Sequence, residues 1–139
     1  RALPLAGSAF FVLYGDSFLP ISFAEVESEW RRSQKPALMS VFRNEGQWDS
    51  SNVLFEDQTV IEYDKHRPRP SMNYIDYGLA VLSADLFSDR KPAIPFDLAD
   101  LYHDLSLSRR LAGMEVFERF YEIGSPEGLA EAEAYFGRA

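Results

Sequence analysis

Four acidic positions in this sequence sit where a carboxylate needs a reason. Asp16 lies in Gly15-Asp16-Ser17, directly after the apolar run Ala9-Phe10-Phe11-Val12-Leu13-Tyr14. In open α/β sheets ligands bind at the carboxyl ends of strands, so an acid there is placed for a metal or a substrate. The same residues also make an ordinary turn or helix cap. Glu122 is flanked by Phe120, Tyr121 and Ile123, just before Gly124-Ser125-Pro126. A partly enclosed carboxylate needs a partner; Mg²⁺, which takes one or two carboxylates plus phosphate oxygens, is one choice, and an ion pair with Arg119 or Arg109 is the other. Asp76 interrupts the apolar stretch Tyr74-Ile75-Asp76-Tyr77-Gly78 and requires a ligand, a protein partner or an edge position. Asp64-Lys65 ends another apolar stretch, where the lysine can hold a phosphate as a point charge or the pair can be a solvated turn.

The elements that must position these residues follow from local pattern. Residues 9–14 form a continuous apolar run, which suits a strand buried on both faces, as in a parallel sheet covered by helices. Ser22-Phe23-Ala24-Glu25 is a capping box that starts a helix through about Ser33, with Phe23, Val26 and Trp30 on one apolar face. Residues 37–43 read as a strand, and residues 53–55 and 60–63 as a hairpin around Glu56-Asp57-Gln58. The proline-containing segment 65–73 reads as an irregular loop. Residues 74–82 are a strand with Gly78 inside it; an interior glycine marks the close approach of a ligand or another backbone. Asp97 caps a helix to about Ser106, residues 114–117 are a short strand, and Ser125-Pro126-Glu127 opens a last helix. Helices and strands interleave, so the fold class is α/β with a mixed sheet.

Composition narrows the partners. The net charge of −8 and a single dense basic run, Lys65 to Arg69, argue against nucleic acid, whose binding needs a basic face. No apolar stretch is long enough to span a bilayer, so no membrane partner is expected. The absence of cysteine excludes disulfides and thiolate metal sites and fits a cytoplasmic location. His66 and His103 lack metal-ligand spacing and read as surface residues, while Trp30 and Trp48 read as packing residues rather than a base platform.

Taken in order, several segments resemble the second half of the sugar-1-phosphate nucleotidyltransferase family. They are Phe11-Val12-Leu13-Tyr14-Gly15-Asp16-Ser17, Val60-Ile61-Glu62-Tyr63-Asp64-Lys65, Tyr74-Ile75-Asp76-Tyr77-Gly78-Leu79 and Phe120-Tyr121-Glu122-Ile123-Gly124-Ser125-Pro126-Glu127-Gly128-Leu129. The resemblance implies a Rossmann-like nucleotidyltransferase fold, with residues 1–139 as the C-terminal portion of one such domain and the N-terminal part of the sheet missing. It implies Mg²⁺ as cofactor, and a nucleoside triphosphate and a sugar 1-phosphate as substrates, joined with release of pyrophosphate. By motif position Asp16 matches the metal-binding aspartate, and Glu122 stands where relatives carry an aspartate in Leu-Asp-x-Gly-Thr, as the second metal ligand. Lys65 matches the lysine that holds the sugar phosphate, which makes Asp16 and Lys65 the catalytic pair. Asp64 matches the acid that binds sugar hydroxyls, and Asp76 and Gly78 an Asn-x-Gly segment lining the sugar pocket.

Two other readings fit less of the sequence. One is a non-catalytic binding or regulatory module with the same fold; the other is a glycosyltransferase of related fold, which would carry an Asp-x-Asp motif absent here. The family's glycine-rich Gly-Gly-x-Gly-Thr-Arg-Leu loop, which cradles the triphosphate, and its Pro-Lys-Pro are also not in this sequence. Residues 1–139 alone should therefore give no turnover in a pyrophosphate-release assay across sugar 1-phosphates and triphosphates. Robust release by the isolated chain would overturn that expectation.

Overall fold

The computed structural model describes residues 3–48, 50–89 and 95–137. Along the chain run β1 (Ala9–Leu13), β2 (Ser17–Phe18), α1 (Phe23–Ser33), β3 (Ala37–Arg43), β4 (Val53–Glu56), β5 (Thr59–Tyr63), β6 (Tyr74–Ser83), α2 (Leu98–Leu107), β7 (Leu111–Val116), β8 (Tyr121–Glu122) and α3 (Pro126–Phe136). The helix starts are fixed by side-chain caps. Ser22 accepts from the Glu25 N–H, Asp97 from Ala99 and Ser125 from Gly128, each satisfying a donor the helix cannot pair internally. The β4–β5 hairpin closes through Asp57 and Gln58, both at positive φ as a tight two-residue turn requires.

The main sheet has the order β1-β6-β3-β7-β5-β4. It is mixed: β3 and β7 run parallel, while β1–β6, β3–β6, β4–β5 and β5–β7 are antiparallel. Alternation sends neighbouring residues to opposite faces, and each face has its own core. Met39, Val41, Ala80 and Leu82 meet Leu101, Tyr102 and Leu105 of α2 on one side. Leu38, Leu79 and Val81 meet Val26 of α1 on the other. This sandwich of helices around a sheet is the architecture that interleaved elements call for.

Two details differ from the sequence expectation. The strand at residues 9–14 is not buried on both faces in a parallel arrangement. β1 is an edge strand, antiparallel to β6, and Phe11 and Leu13 stay 38% and 48% exposed. A continuous apolar run reports a tendency to be buried, but not which neighbours are present to bury it. The strand expected at residues 114–117 instead spans Leu111–Val116, because its earlier residues pair along β3 from Ala37 onward.

β6 carries an irregularity that matters for the site. Met39 pairs with Ala80 and Val41 with Asp76, so Tyr77, Gly78 and Leu79 lie across from Ser40 alone. Gly78 takes φ +95, open to glycine at little steric cost, and the buried Ser40 hydroxyl donates to the Leu79 carbonyl at 2.6 Å. The bulge is therefore hydrogen-bonded rather than open.

An unpaired edge bearing apolar side chains is a template for association. Purified chain should show oligomers by light scattering, and Leu13→Lys should shift it toward monomer without lowering the melting temperature. A monodisperse wild-type monomer at high concentration would count against this reading of β1.

Candidate functional site

The bulge in β6 builds one wall of a cleft of about 330 Å³. Asp76 is held there by the protein itself: the Tyr14 hydroxyl donates to its Oδ2 at 2.6 Å and the Gly78 N–H to its Oδ1 at 2.9 Å. The Tyr14 ring lies over Gly78, close enough that an added Cβ would come within 3.1 Å of it. The close approach expected at Gly78 is thus that of a tyrosine ring. Burial pushes the Asp76 carboxyl above its ordinary value, against the opposing pull of the Tyr14 and Gly78 hydrogen bonds and the Lys65 charge. Desolvation of the Tyr14 phenol, followed by the Asp76 charge, raises Tyr14 in turn.

Lys65 enters the cleft from a rigid perch. Both main-chain groups of Tyr63, the last residue of β5, are taken by α2: its N–H donates to Ser106 Oγ at 3.0 Å, and its carbonyl accepts from His103 Nδ1 at 2.6 Å. His103 is therefore a half-buried tether rather than a surface residue. Asp64 then turns into its own loop, its Oδ1 accepting the N–H groups of His66 and Arg67 at 2.9 and 2.8 Å. The Arg67 hydrogen bond, the largest influence, holds this carboxyl below its usual value. Asp64 organises the turn and does not line the cleft. Among the described residues, Lys65 forms no ion pair. Asn52, which sequence reasoning did not single out, joins these walls: its Oδ1 accepts the Asp76 N–H and its carbonyl the Asp64 N–H.

The third wall is a small ribbon of β2 and β8, in which Ser17 lies opposite Glu122 and Phe18 opposite Tyr121. Ser17 and Glu122 both line the cleft. Asp16 sits one residue back along the same ribbon: its carbonyl accepts from the Ile123 N–H at 3.0 Å, and its carboxylate lies near Gly124 and accepts from Ser17 Oγ at 3.2 Å. The fold thus brings Asp16, in the turn just before β2, close to Glu122 of β8, although Asp16 is not among the residues lining the cleft. Gly128 completes the wall, since a Cβ there would run into the Glu122 carbonyl and keep α3 away. The Glu122 side chain has no ion pair among the described residues. Arg119 pairs instead with Glu131 of α3 at 2.6 Å, and Arg109 lies in the turn between α2 and β7. No group of three or more His, Cys, Asp or Glu side chains among the described residues is arranged to hold a metal ion. Two carboxylates at one end of this ribbon do fit the chemistry of Mg²⁺, which relies on phosphate oxygens and water for its remaining ligands.

Trp48 and Arg119 form a feature that neither residue announces in sequence. The Arg119 guanidinium lies 3.8 Å from the Trp48 ring centre and 4.8 Å from that of Tyr121. Trp48 is presented by the loop after β3, where Asn44 Oδ1 accepts its N–H. Trp48, Arg119, Glu127 and Glu131 all line the cleft, and the two glutamates lie four apart on one face of α3. That i,i+4 spacing was the available signal. Beneath them, Tyr77 is 2% exposed and its hydroxyl has no hydrogen-bond partner among the described residues.

No protein-family model matches this chain, and no curated protein matches it in sequence. Solved structures do match. A protein assigned as a glucose-1-phosphate thymidylyltransferase from Bacillus anthracis, in complex with a sucrose, superposes with a TM-score of 0.77 at 17% identity, over 96% of this chain and 57% of that one. The inositol-1-phosphate CTP transferase from T. maritima gives 0.70 at 16% identity, over 98% and 58%. A UTP-bound UGPase from Acinetobacter baumannii gives 0.72 at 20%, over 98% and 53%. The structural neighbours are sugar-1-phosphate nucleotidyltransferases, and the mixed α/β sheet described above is their fold. This chain spans little more than half the length of each. Among its described residues, no helix is long and apolar enough to cross a membrane.

The buried Asp76 carboxyl leaves a mark on stability. Its folded form keeps its proton to higher pH than the unfolded chain, so above the ordinary value of 3.8 the folded state binds more protons and stability falls as pH rises through the raised pKa. Asp76→Asn, which can still bond Tyr14 and Gly78, should flatten that slope in melting temperatures measured from about pH 4 upward. Equal slopes in the two proteins would mean that Asp76 ionises in the fold as freely as in the unfolded chain.

Proposed function

We propose that this cleft is the sugar-phosphate side of a nucleotidyltransferase site, acting in nucleotide-sugar synthesis. The observation that carries the reading is a lysine and a glutamate facing one cleft, neither in an ion pair among the described residues, on this fold. In the proposed reaction a phosphate oxygen of the sugar 1-phosphate forms a bond to the α-phosphorus of a nucleoside triphosphate. The bond from that phosphorus to the β-phosphate bridging oxygen breaks, and pyrophosphate leaves with the electron pair. Such transfer asks the protein mainly for positioning and charge neutralisation.

Lys65 is suited to hold the phosphate of the sugar 1-phosphate, because its ammonium is in no ion pair among the described residues and its backbone is anchored through Tyr63 to α2. Asp16 and Glu122 are the residues proposed to hold Mg²⁺. Bound there, the ion would neutralise phosphate charge as the new bond forms. Asp76 and Gly78, fixed by Tyr14, are proposed to shape the wall for the sugar rather than to exchange protons with it. Asp64 is proposed to act on the sugar only through the loop it caps.

Calorimetric titration of the chain with hexose 1-phosphates, with and without Mg²⁺, tests this reading. Lys65→Ala should weaken binding about tenfold to a hundredfold, the range for a hydrogen bond to a charged group. Any gain from Mg²⁺ should vanish in both Asp16→Asn and Glu122→Gln. Binding that ignores Lys65→Ala would remove the phosphate assignment, and a Mg²⁺ gain that survives Asp16→Asn would remove the shared-metal assignment.

A further inference from the structure

The charges around the cleft divide into two kinds. Lys65 is in no ion pair among the described residues, whereas Arg119 is already matched by Glu131 through Nη2 at 2.6 Å, and its Nε donates to the Phe120 carbonyl at 3.2 Å. These bonds use only part of a guanidinium's fork of donors, and the rest of its edge remains for another acceptor. The guanidinium carbon lies 3.8 Å from the Trp48 ring centre and 4.8 Å from that of Tyr121, so the two rings help to fix where the group sits. Arg119 and Glu131 both line the cleft, as does Tyr77, whose buried hydroxyl has no partner among the described residues. A buried polar group left unpaired calls for a missing water or ligand atom.

A cation already neutralised by a carboxylate is poorly suited to a second phosphate. Together, though, the pair offers donors on arginine and a remaining acceptor on glutamate, side by side and in fixed orientation. A hydroxyl group both donates and accepts, so adjacent hydroxyls on a rigid ring complement such a pair. We propose that the Arg119–Glu131 pair, stacked on Trp48 and Tyr121, is the specificity-determining element of the cleft and reads ring hydroxyls of the sugar, while Lys65 takes the phosphate. This rests on the sugar-phosphate reading of the cleft and adds which part of the ligand each cation serves.

The test compares ligands that share a phosphate and differ in the ring. Wild-type chain, Arg119→Lys and Glu131→Gln are titrated calorimetrically with glucose 1-phosphate, mannose 1-phosphate and inorganic phosphate, with melting curves to verify folding. Glu131→Gln changes an exposed side chain on α3 and keeps the test open should Arg119→Lys disturb the stack. The expected result is a loss of about tenfold or more for the preferred hexose 1-phosphate in both variants, with inorganic phosphate unchanged. Equal weakening of sugar phosphate and inorganic phosphate, or no weakening of either, overturns the assignment while leaving the parent reading intact. If wild-type chain binds neither hexose 1-phosphate more tightly than inorganic phosphate, the sugar-phosphate reading itself fails and this inference with it.

Discussion

Placing a carboxylate inside an apolar strand is costly, and much of this fold near the cleft can be traced to how Asp76 is accommodated. The half-buried group needs hydrogen bonds where water is scarce, and it receives them from Tyr14 and Gly78. The Tyr14 ring can reach it only because position 78 has no side chain, and Gly78 donates only because the strand bulges there. Ser40 then has to satisfy the carbonyl the bulge leaves over. A single half-buried carboxyl thus links the geometry of β1, β3 and β6.

Every wall of the cleft comes from a different part of the chain, and each is fastened by polar contacts to its neighbour. α2 grips Tyr63, Asn52 ties β6 to the start of the Lys65 loop, and Arg119 ties the loop after β3 to α3. Electrostatically the result is uneven. Among the described residues Lys65 and Glu122 are in no ion pair, whereas Arg119 is shared with a carboxylate and two aromatic rings. An anionic group and an uncharged polar ring would be received by different parts of this surface.

What the sequence made legible was local. The caps Ser22, Asp97 and Ser125, the turn at Asp57 and Gln58, and the irregular loop after Lys65 depend on neighbours a few residues away, and the structure has them where the pattern puts them. The resemblance in motif order carried the fold class as well, which the structural neighbours bear out. What stayed hidden was relational. The apolar run of β1 does not say that it will have one strand neighbour, and the β2–β8 ribbon is too short to leave a period. Arg119 had acidic candidates on either side in sequence, and only the packing of α3 decides for Glu131. Trp48 became a stacking partner through the same tertiary accident, since nothing in its local segment points to an arginine far along the chain.

The β2–β8 ribbon also has a kinetic meaning. Its strands pair only at Ser17 with Glu122 and Phe18 with Tyr121, joining opposite ends of the chain across the cleft. The β4–β5 hairpin needs only a two-residue loop and closes early, whereas this ribbon must wait until the intervening chain is ordered. Elements held by few main-chain bonds are also the first to open from the native state. Amide hydrogens of the ribbon are expected to exchange early, and those of the heavily paired β3 and β6 late. Glu122 is therefore carried by, and Asp16 adjoins, an element with little main-chain pairing, so that whatever binds between the cleft walls also fastens together segments far apart in sequence.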